Sequence, residues 1–152
     1  TDYLTKLYNR KYLDEQVTES LEKDQFGSFI LIDIDEFKQI NDKYGHQKGD
    51  EVIIQVANII KEQVKGKNAI AARWGGEEMA VYLREMRFNE AIQIAEQIRW
   101  NVEKNCDFHV TVSCGVSYWS SETGNRSLSK LFQIADKAMY KAKKQGRNKV
   151  VY

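Results

Sequence analysis

The sequence predicts an α+β domain: a mainly antiparallel central sheet flanked by helices, with a βααββαβ core. Three observations lead there. Phe29-Ile30-Leu31-Ile32-Asp33-Ile34-Asp35 is a nearly continuous apolar run, which fits a strand covered on both faces in the middle of a sheet. Gly75-Gly76 separates two short apolar stretches in the manner of a hairpin turn. Other stretches repeat apolar residues every three or four positions, the period of a helix packed on one side.

The first helix is expected from about Asn9 to Lys23. Phe29 to Asp35 forms the central strand, and Asp35 stands where an N-cap would precede a short helix from about Glu36 to Tyr44. Gly45-His46-Gln47-Lys48-Gly49 reads as a loop, and Asp50 can cap the next helix, in which Ile53, Val56, Ala57, Ile60 and Val64 follow helical spacing. Ala69 to Trp74 and Glu78 to Leu83 make the hairpin, with both turn glycines able to accept positive φ. Phe88, Ala91, Ile92, Ala95, Ile98 and Val102 line one face of another helix. From Phe108 to Tyr118 apolar and polar residues alternate, the pattern of a strand with one buried face. A last helix runs from about Ser127 to Gln145, with Gly146 as its C-cap glycine, and Asn148 to Tyr152 closes the chain as a strand.

A chain of 152 residues suits one domain, residues 1–152, that can bury a real core. Apolar residues at 42 % and charged residues at 30 % give a soluble globular balance. There is no apolar run long enough to cross a bilayer and no signal-type leader, so a cytoplasmic domain without membrane contact is expected. With 23 basic and 22 acidic residues the formal net charge is +1, which argues against a protein that coats nucleic acid. Cys106 and Cys114 share no metal-type spacing and make no disulfide framework. The chain begins with Thr1 rather than Met, so it is expected to be the C-terminal part of a longer protein.

Asp33 lies near the end of the central strand, and Glu77 and Glu78 follow the Gly75-Gly76 turn. A hairpin paired beside the central strand brings these carboxylates together. Carboxylates at one point repel and need a cation between them. Mg²⁺ suits such a site, because it takes a few carboxylates and completes its octahedron with water and phosphate oxygens. Glycine at the turn lets a phosphate come close to the backbone. The same residues also fit a strand end, a helix cap and a solvated turn.

The wider context is more specific. Arg73-Trp74-Gly75-Gly76-Glu77-Glu78-Met79 resembles the signature of the GGDEF family of diguanylate cyclases, in its GGEEF form. Asp2-Tyr3-Leu4-Thr5-Lys6-Leu7-Tyr8-Asn9-Arg10 resembles the family's opening D-x-L-T-G-L-x-N-R. Asp33-Ile34-Asp35-Glu36-Phe37-Lys38 with Asn41-Asp42 resembles D-x-D-x-F-K-x-x-N-D, and Gly45-His46 with Gly49-Asp50 resembles G-H-x-x-G-D. Thr111-Val112-Ser113-Cys114-Gly115 resembles T-v-S-x-G. Ala135 to Lys143 with Gly146-Arg147-Asn148 resembles A-D-x-A-L-Y-x-A-K-x-x-G-R-N. These strings occur in order over essentially the whole chain.

The resemblance implies a fold like the nucleotidyl cyclase and polymerase palm, which is ferredoxin-like, and an enzyme that condenses two GTP into cyclic di-GMP and two pyrophosphate. It implies two Mg²⁺ or Mn²⁺ ions held by Asp33, Glu77 and the backbone carbonyl of Ile34, with Glu78 assisting at the metals or in activating the attacking hydroxyl. Asn41 and Asp50 would read the guanine edge, since an Asp accepts from N1–H and the exocyclic amine. Lys143 and Arg147, at helical spacing with Asp136 and Tyr140, would hold the triphosphate, with Lys38 in reach and Gly75 and Gly76 lining its path. His46 is expected to order the loop carrying Asp50, and His109 to be ordinary surface.

Each domain would supply one GTP site, so catalysis would need a homodimer, which the family usually obtains through an N-terminal sensory or dimerising segment. Three departures stand out. Met79 replaces Phe, Lys6 stands where Gly is common, and the positions of the family's R-x-x-D inhibitory site hold Gly66 and Ala69. The last implies no tight product inhibition there. The rival readings are a GTP-binding module without turnover and an RNA-binding ferredoxin-like domain. The second would want exposed aromatics on its central strands.

Overall fold

In a computed structural model, which describes residues 1–124 and 126–152, the elements run α1 (Arg10–Lys23), β1 (Phe26–Ile34), α2 (Phe37–Tyr44), α3 (His46–Val64), β2 (Ala69–Arg73), β3 (Glu78–Arg84), α4 (Phe88–Asn105), β4 (Val112–Ser120), α5 (Leu128–Lys144) and β5 (Val150–Val151). The sheet has the order β2-β3-β1-β4-β5. All neighbours are antiparallel except β4 and β5. This is the expected α+β architecture, with β1 at its centre.

The alternation of β1 explains its continuous apolar run. Ile30, Ile32 and Ile34 face one layer, with Val52, Val56 and Ile60 of α3 and Ala95, Ile98 and Val102 of α4. Phe29 and Leu31 face the other, with Leu13 and Val17 of α1 and Leu131, Ala135 and Met139 of α5. Truncating one of these Ile or Leu side chains to Ala would cost about 2–5 kcal/mol. Met79, the replacement for Phe, is fully buried in the first layer, where its flexible side chain fills the space.

The exposed edge of β2 is covered by the N-terminal segment. Tyr8 N donates to Ala71 O at 3.1 Å and Arg73 N donates to Tyr8 O at 3.0 Å. Covering an edge in this way removes a template for unwanted strand pairing. Asn9 and Ser127 cap α1 and α5, accepting from Tyr12 N and Lys130 N. Gly146, at φ 111°, ends α5, and Arg147 N reaches back to Ala142 O at 2.9 Å. None of the helices among the described residues is long and apolar enough to cross a membrane.

Several local expectations change. Asp35 is not an N-cap: Glu36 holds that position at φ 53°, with no side-chain cap. Asp35 is drawn away by bonds to other elements. The expected loop from Gly45 to Gly49 shrinks to Gly45, because α3 already starts at His46. Asp50 therefore lies inside α3 and caps nothing. Neither Gly75 nor Gly76 has a positive φ. Strand β2 ends at Arg73 and β3 starts at Glu78, so residues 74–77 make a wider connection than a two-residue turn. The alternating segment becomes a strand only at Val112, and helices cover both of its faces, so it is buried almost throughout. Phe108 and His109 instead form a tight turn at φ 63° and 57°. The terminal strand reduces to Val150–Val151.

Candidate active site

The ends of β1 and β3 bring the acidic residues together. Asp33 is the register partner of Glu78 across the β1–β3 ladder, and Ile34 N donates to Glu77 O at 3.2 Å. Lys143 of α5 enters from the side. Its Nζ lies 3.1 Å from Asp33 Oδ2 and 3.0 Å from Asp35 Oδ1. One ammonium thus serves two carboxylates.

Burial pushes Asp33 up to about 6; the Lys143 charge works against this, and Glu77 and Asp35 add to it. Glu78 is raised as well, by burial first and then by Asp33, Glu77 and Asp136. Burial also opposes the charge of Asp35, but bonds from Ser113, Thr111 and Lys143 outweigh it and hold that carboxyl below its usual value. Burial alone would lower Lys143; Asp33 and Asp35 keep it above its usual value.

Among the described residues, two buried side-chain oxygens have no hydrogen-bond partner: Asp33 Oδ1 and Asn41 Oδ1. The first sits in the carboxylate cluster. A buried carboxylate oxygen with open lone pairs, opposite Glu78 with its raised carboxyl, is a donor set that a hard divalent cation fits. Among the described residues, no three His, Cys, Asp or Glu side chains converge in a metal-holding arrangement by themselves. A cation here would complete its shell with backbone carbonyl, water or phosphate oxygens, the habit of Mg²⁺.

The second open oxygen marks another place. Asn41 on α2 packs against Gly49 on α3, where any Cβ would overlap Asn41 Oδ1 and crowd Phe37. Gly49 therefore allows the α2–α3 approach, and Asp50 follows it on the exposed side. Asn41 and Asp50 lie on this helix pair, apart from the carboxylates on the strand ends. Lys38 is exposed on the first turn of α2.

Arg147 departs from the expected helical spacing. Helix α5 ends at Lys144, and Arg147 lies in the following turn at φ 66°. Its guanidinium lies 3.6 Å from Glu36 Oε1, beside the start of α2. His46 begins α3, and His109 is exposed as expected. Cys106 is half-buried and Cys114 buried, both as free thiols.

Residue types alone did not reveal the supports of the acidic loop. Arg73 donates from Nε and Nη2 to Gly76 O at 3.1 and 2.8 Å, and its Nη1 lies 3.3 Å from Asp2. Trp74 is stacked on Phe132 at 4.9 Å with the Arg10 guanidinium 3.9 Å from its ring. The residues flanking Gly75-Gly76 thus anchor a loop whose glycines themselves are exposed. Thr111 and Ser113 both bond Asp35, and their spacing of two across the start of β4 was the available signal.

The sequence model of the family described as "Diguanylate cyclase, GGDEF domain" matches residues 1–149. The Bacillus subtilis protein YtrP is 48 % identical over 151 residues, covering 99 % of this chain and 26 % of that protein. Diguanylate cyclase A of Treponema denticola is 39 % identical over 163 residues, covering 99 % of this chain and 43 % of that protein. The chain therefore spans less than half the length of these two relatives. Among solved structures, the coiled coil and GGDEF domain of DgcB from Caulobacter crescentus, in complex with c-di-GMP, superposes with a TM-score of 0.89 at 31 % identity. That match covers 99 % of this chain and 84 % of the other.

Proposed function

Since the chain belongs to the GGDEF domain family of diguanylate cyclases, we propose that it condenses two GTP molecules into cyclic di-GMP with release of two pyrophosphates. The observation that carries this reading is the half-buried Asp33 with its buried, unpartnered Oδ1, set opposite Glu78 and beside Lys143.

Asn41 and Asp50 bind guanine: the Asp accepts from N1–H and the exocyclic amine, and the Asn both donates and accepts. The open Oδ1 of Asn41 supports this role. Lys143 and Arg147 hold the triphosphate, with Lys38 beside them. The first N–H groups of α2 lack intrahelical partners, as in any helix, and favour phosphate. The exposed Gly75 and Gly76 let the nucleotide pass close to the backbone.

Asp33, Glu77 and the Ile34 carbonyl would hold two Mg²⁺ or Mn²⁺ ions, with Glu78 at their side. Such ions supply charge stabilisation at the attacking and leaving oxygens of an in-line displacement. Glu78, its carboxyl raised by burial and its acidic neighbours, takes the proton of the 3′-hydroxyl as that oxygen attacks the α-phosphorus. Lys143 and Arg147 offset the charge on the departing pyrophosphate.

One chain carries one guanine-reading pair, so two copies face each other to complete the reaction, brought together by an N-terminal sensory or dimerising domain in a cytoplasmic signalling protein. Gly66 and Ala69 leave the family's R-x-x-D inhibitory position without its charges. Incubating the chain at high concentration with GTP and Mg²⁺ or Mn²⁺, alone and fused to a dimerising coiled coil, tests the reading. Cyclic di-GMP and pyrophosphate in a one-to-two ratio are expected. A dimerised chain that binds GTP without converting it would make this a GTP-binding module instead.

A further inference from the structure

Asp35 differs from Asp33, two residues before it, in one respect: both of its oxygens are fully engaged. Oδ1 accepts from Ser113 Oγ at 2.6 Å and from Lys143 Nζ at 3.0 Å. Oδ2 accepts from Thr111 Oγ1 at 2.7 Å and from Asn148 N at 3.1 Å. The side chain is only 4 % exposed. A carboxylate offers about four lone-pair sites, so Asp35 has none to spare for a cation, whereas Asp33 Oδ1 is open.

The donors come from separate parts of the fold. Thr111 and Ser113 belong to the approach and start of β4, Lys143 to the last turns of α5, and Asn148 to the turn after it. Asp35 N also donates to Thr111 O at 2.9 Å, which fixes the backbone end of the clamp. The carboxylate therefore holds the Lys143 ammonium directly and the backbone next to Arg147 through Asn148. These are the two bases assigned above to the triphosphate.

We infer that Asp35 is a positioning residue: it is the permanent counter-charge that keeps Lys143 at the triphosphate side when Asp33 turns to a cation. Thr111 and Ser113 aim Asp35, and Asp35 aims Lys143. This rests on the nucleotide reading above for its consequence, but the Asp35–Lys143 link stands on geometry alone.

Two readouts on the full chain test it. The first is the rate at which acetic anhydride modifies Lys143 without nucleotide, read by peptide mass spectrometry. It should rise about tenfold in Asp35→Asn, the loss of one charge-assisted bond, and also rise in a Thr111→Val/Ser113→Ala variant, which keeps the carboxylate but loosens it. The second is equilibrium binding of GTP with Mg²⁺. Asp35→Asn and Lys143→Ala should each weaken it about tenfold, and the double variant should be no weaker than Lys143→Ala alone. Equal labelling of Lys143 in wild type and both Asp35-clamp variants, or losses that multiply in the double variant, would overturn the inference. Should Asp35→Asn fail to fold, the Thr111→Val/Ser113→Ala variant decides. A wild-type chain that binds no GTP defeats the nucleotide reading, and the labelling then still decides the link.

Discussion

Asp33 and Glu78 sit directly opposite each other where β1 and β3 end, two acidic residues as register partners on adjacent strands. Like charges in that relation destabilise a sheet. Lys143 offsets part of the repulsion through Asp33, but it is shared with Asp35. The pair is therefore poised to gain from a bound cation.

The acid titration of Asp33 should be visible in stability. Its carboxyl is raised from 3.8 to about 6, so the folded chain holds this proton more tightly than the unfolded one. That contribution is present below the ordinary value and is lost as pH rises through about 6. The gap corresponds to up to about 3 kcal/mol. Urea unfolding of wild type and Asp33→Asn should show wild type losing stability relative to the variant over this window, with Mg²⁺ restoring it. Parallel curves would contradict the assignment.

A second buried network behaves in the opposite sense. Arg84 Nε bonds Asp24 Oδ2 at 2.8 Å, and Asp24 also accepts from Ser20 Oγ at 2.6 Å. Ser20 in turn meets Tyr82, to which Trp119 Nε1 donates at 2.7 Å. The Arg84 bond, followed by that from Ser20, holds Asp24 below its usual value against burial. Its contribution is present above the ordinary 3.8 and is lost as pH falls through the lower folded value. Arg84→Ala, which strands this carboxylate, should cost about 3–5 kcal/mol by denaturant titration at neutral pH. A cost under about 1 kcal/mol, the range of surface pairs, would show the network to be incidental.

Lys6 should be improvable. It adopts φ 62°, a left-handed conformation that costs an L residue roughly 1–2 kcal/mol and costs glycine nothing. Its side chain is exposed, with Nζ 4.7 Å from the Tyr3 ring. Lys6→Gly should raise the unfolding free energy by about 1 kcal/mol, after the entropy glycine gives to the unfolded chain. A lower melting temperature would refute this.

Feedback should be weak. Gly66 and Ala69 carry neither guanidinium nor carboxylate. Titrating cyclic di-GMP into the active, dimerised chain should leave its rate nearly unchanged at concentrations equal to the product formed. Potent inhibition would mean another surface binds it.

The strength of the sequence signal varied along the chain. Strand β1 was legible because Ile30-Leu31-Ile32 must be covered on both faces. Helices α3, α4 and α5 were legible from their apolar stripes. Local chemistry misled where a tertiary partner outbid it. Asp35 has the composition of an N-cap, but Thr111, Ser113 and Lys143, far along the chain, take its oxygens. Phe108 continues an alternating pattern, yet it stacks on Tyr44 at 4.2 Å in a turn instead of joining the strand. The meeting of Asp33 with Glu78 followed from a hairpin paired beside the central strand, whereas the reach of Lys143 to Asp33 and the Arg73 clasp on the Gly76 carbonyl are contacts that no residue pattern announces.

The carboxylates where β1 ends and β3 begins are proposed as the catalytic metal centre. The most direct measurement compares wild type with Glu77→Ala, both dimerised, for GTP binding by equilibrium titration and for cyclic di-GMP by mass spectrometry. The variant is expected to bind GTP through the Asn41–Asp50 helix pair but to form no cyclic di-GMP. Undiminished product from Glu77→Ala would contradict it.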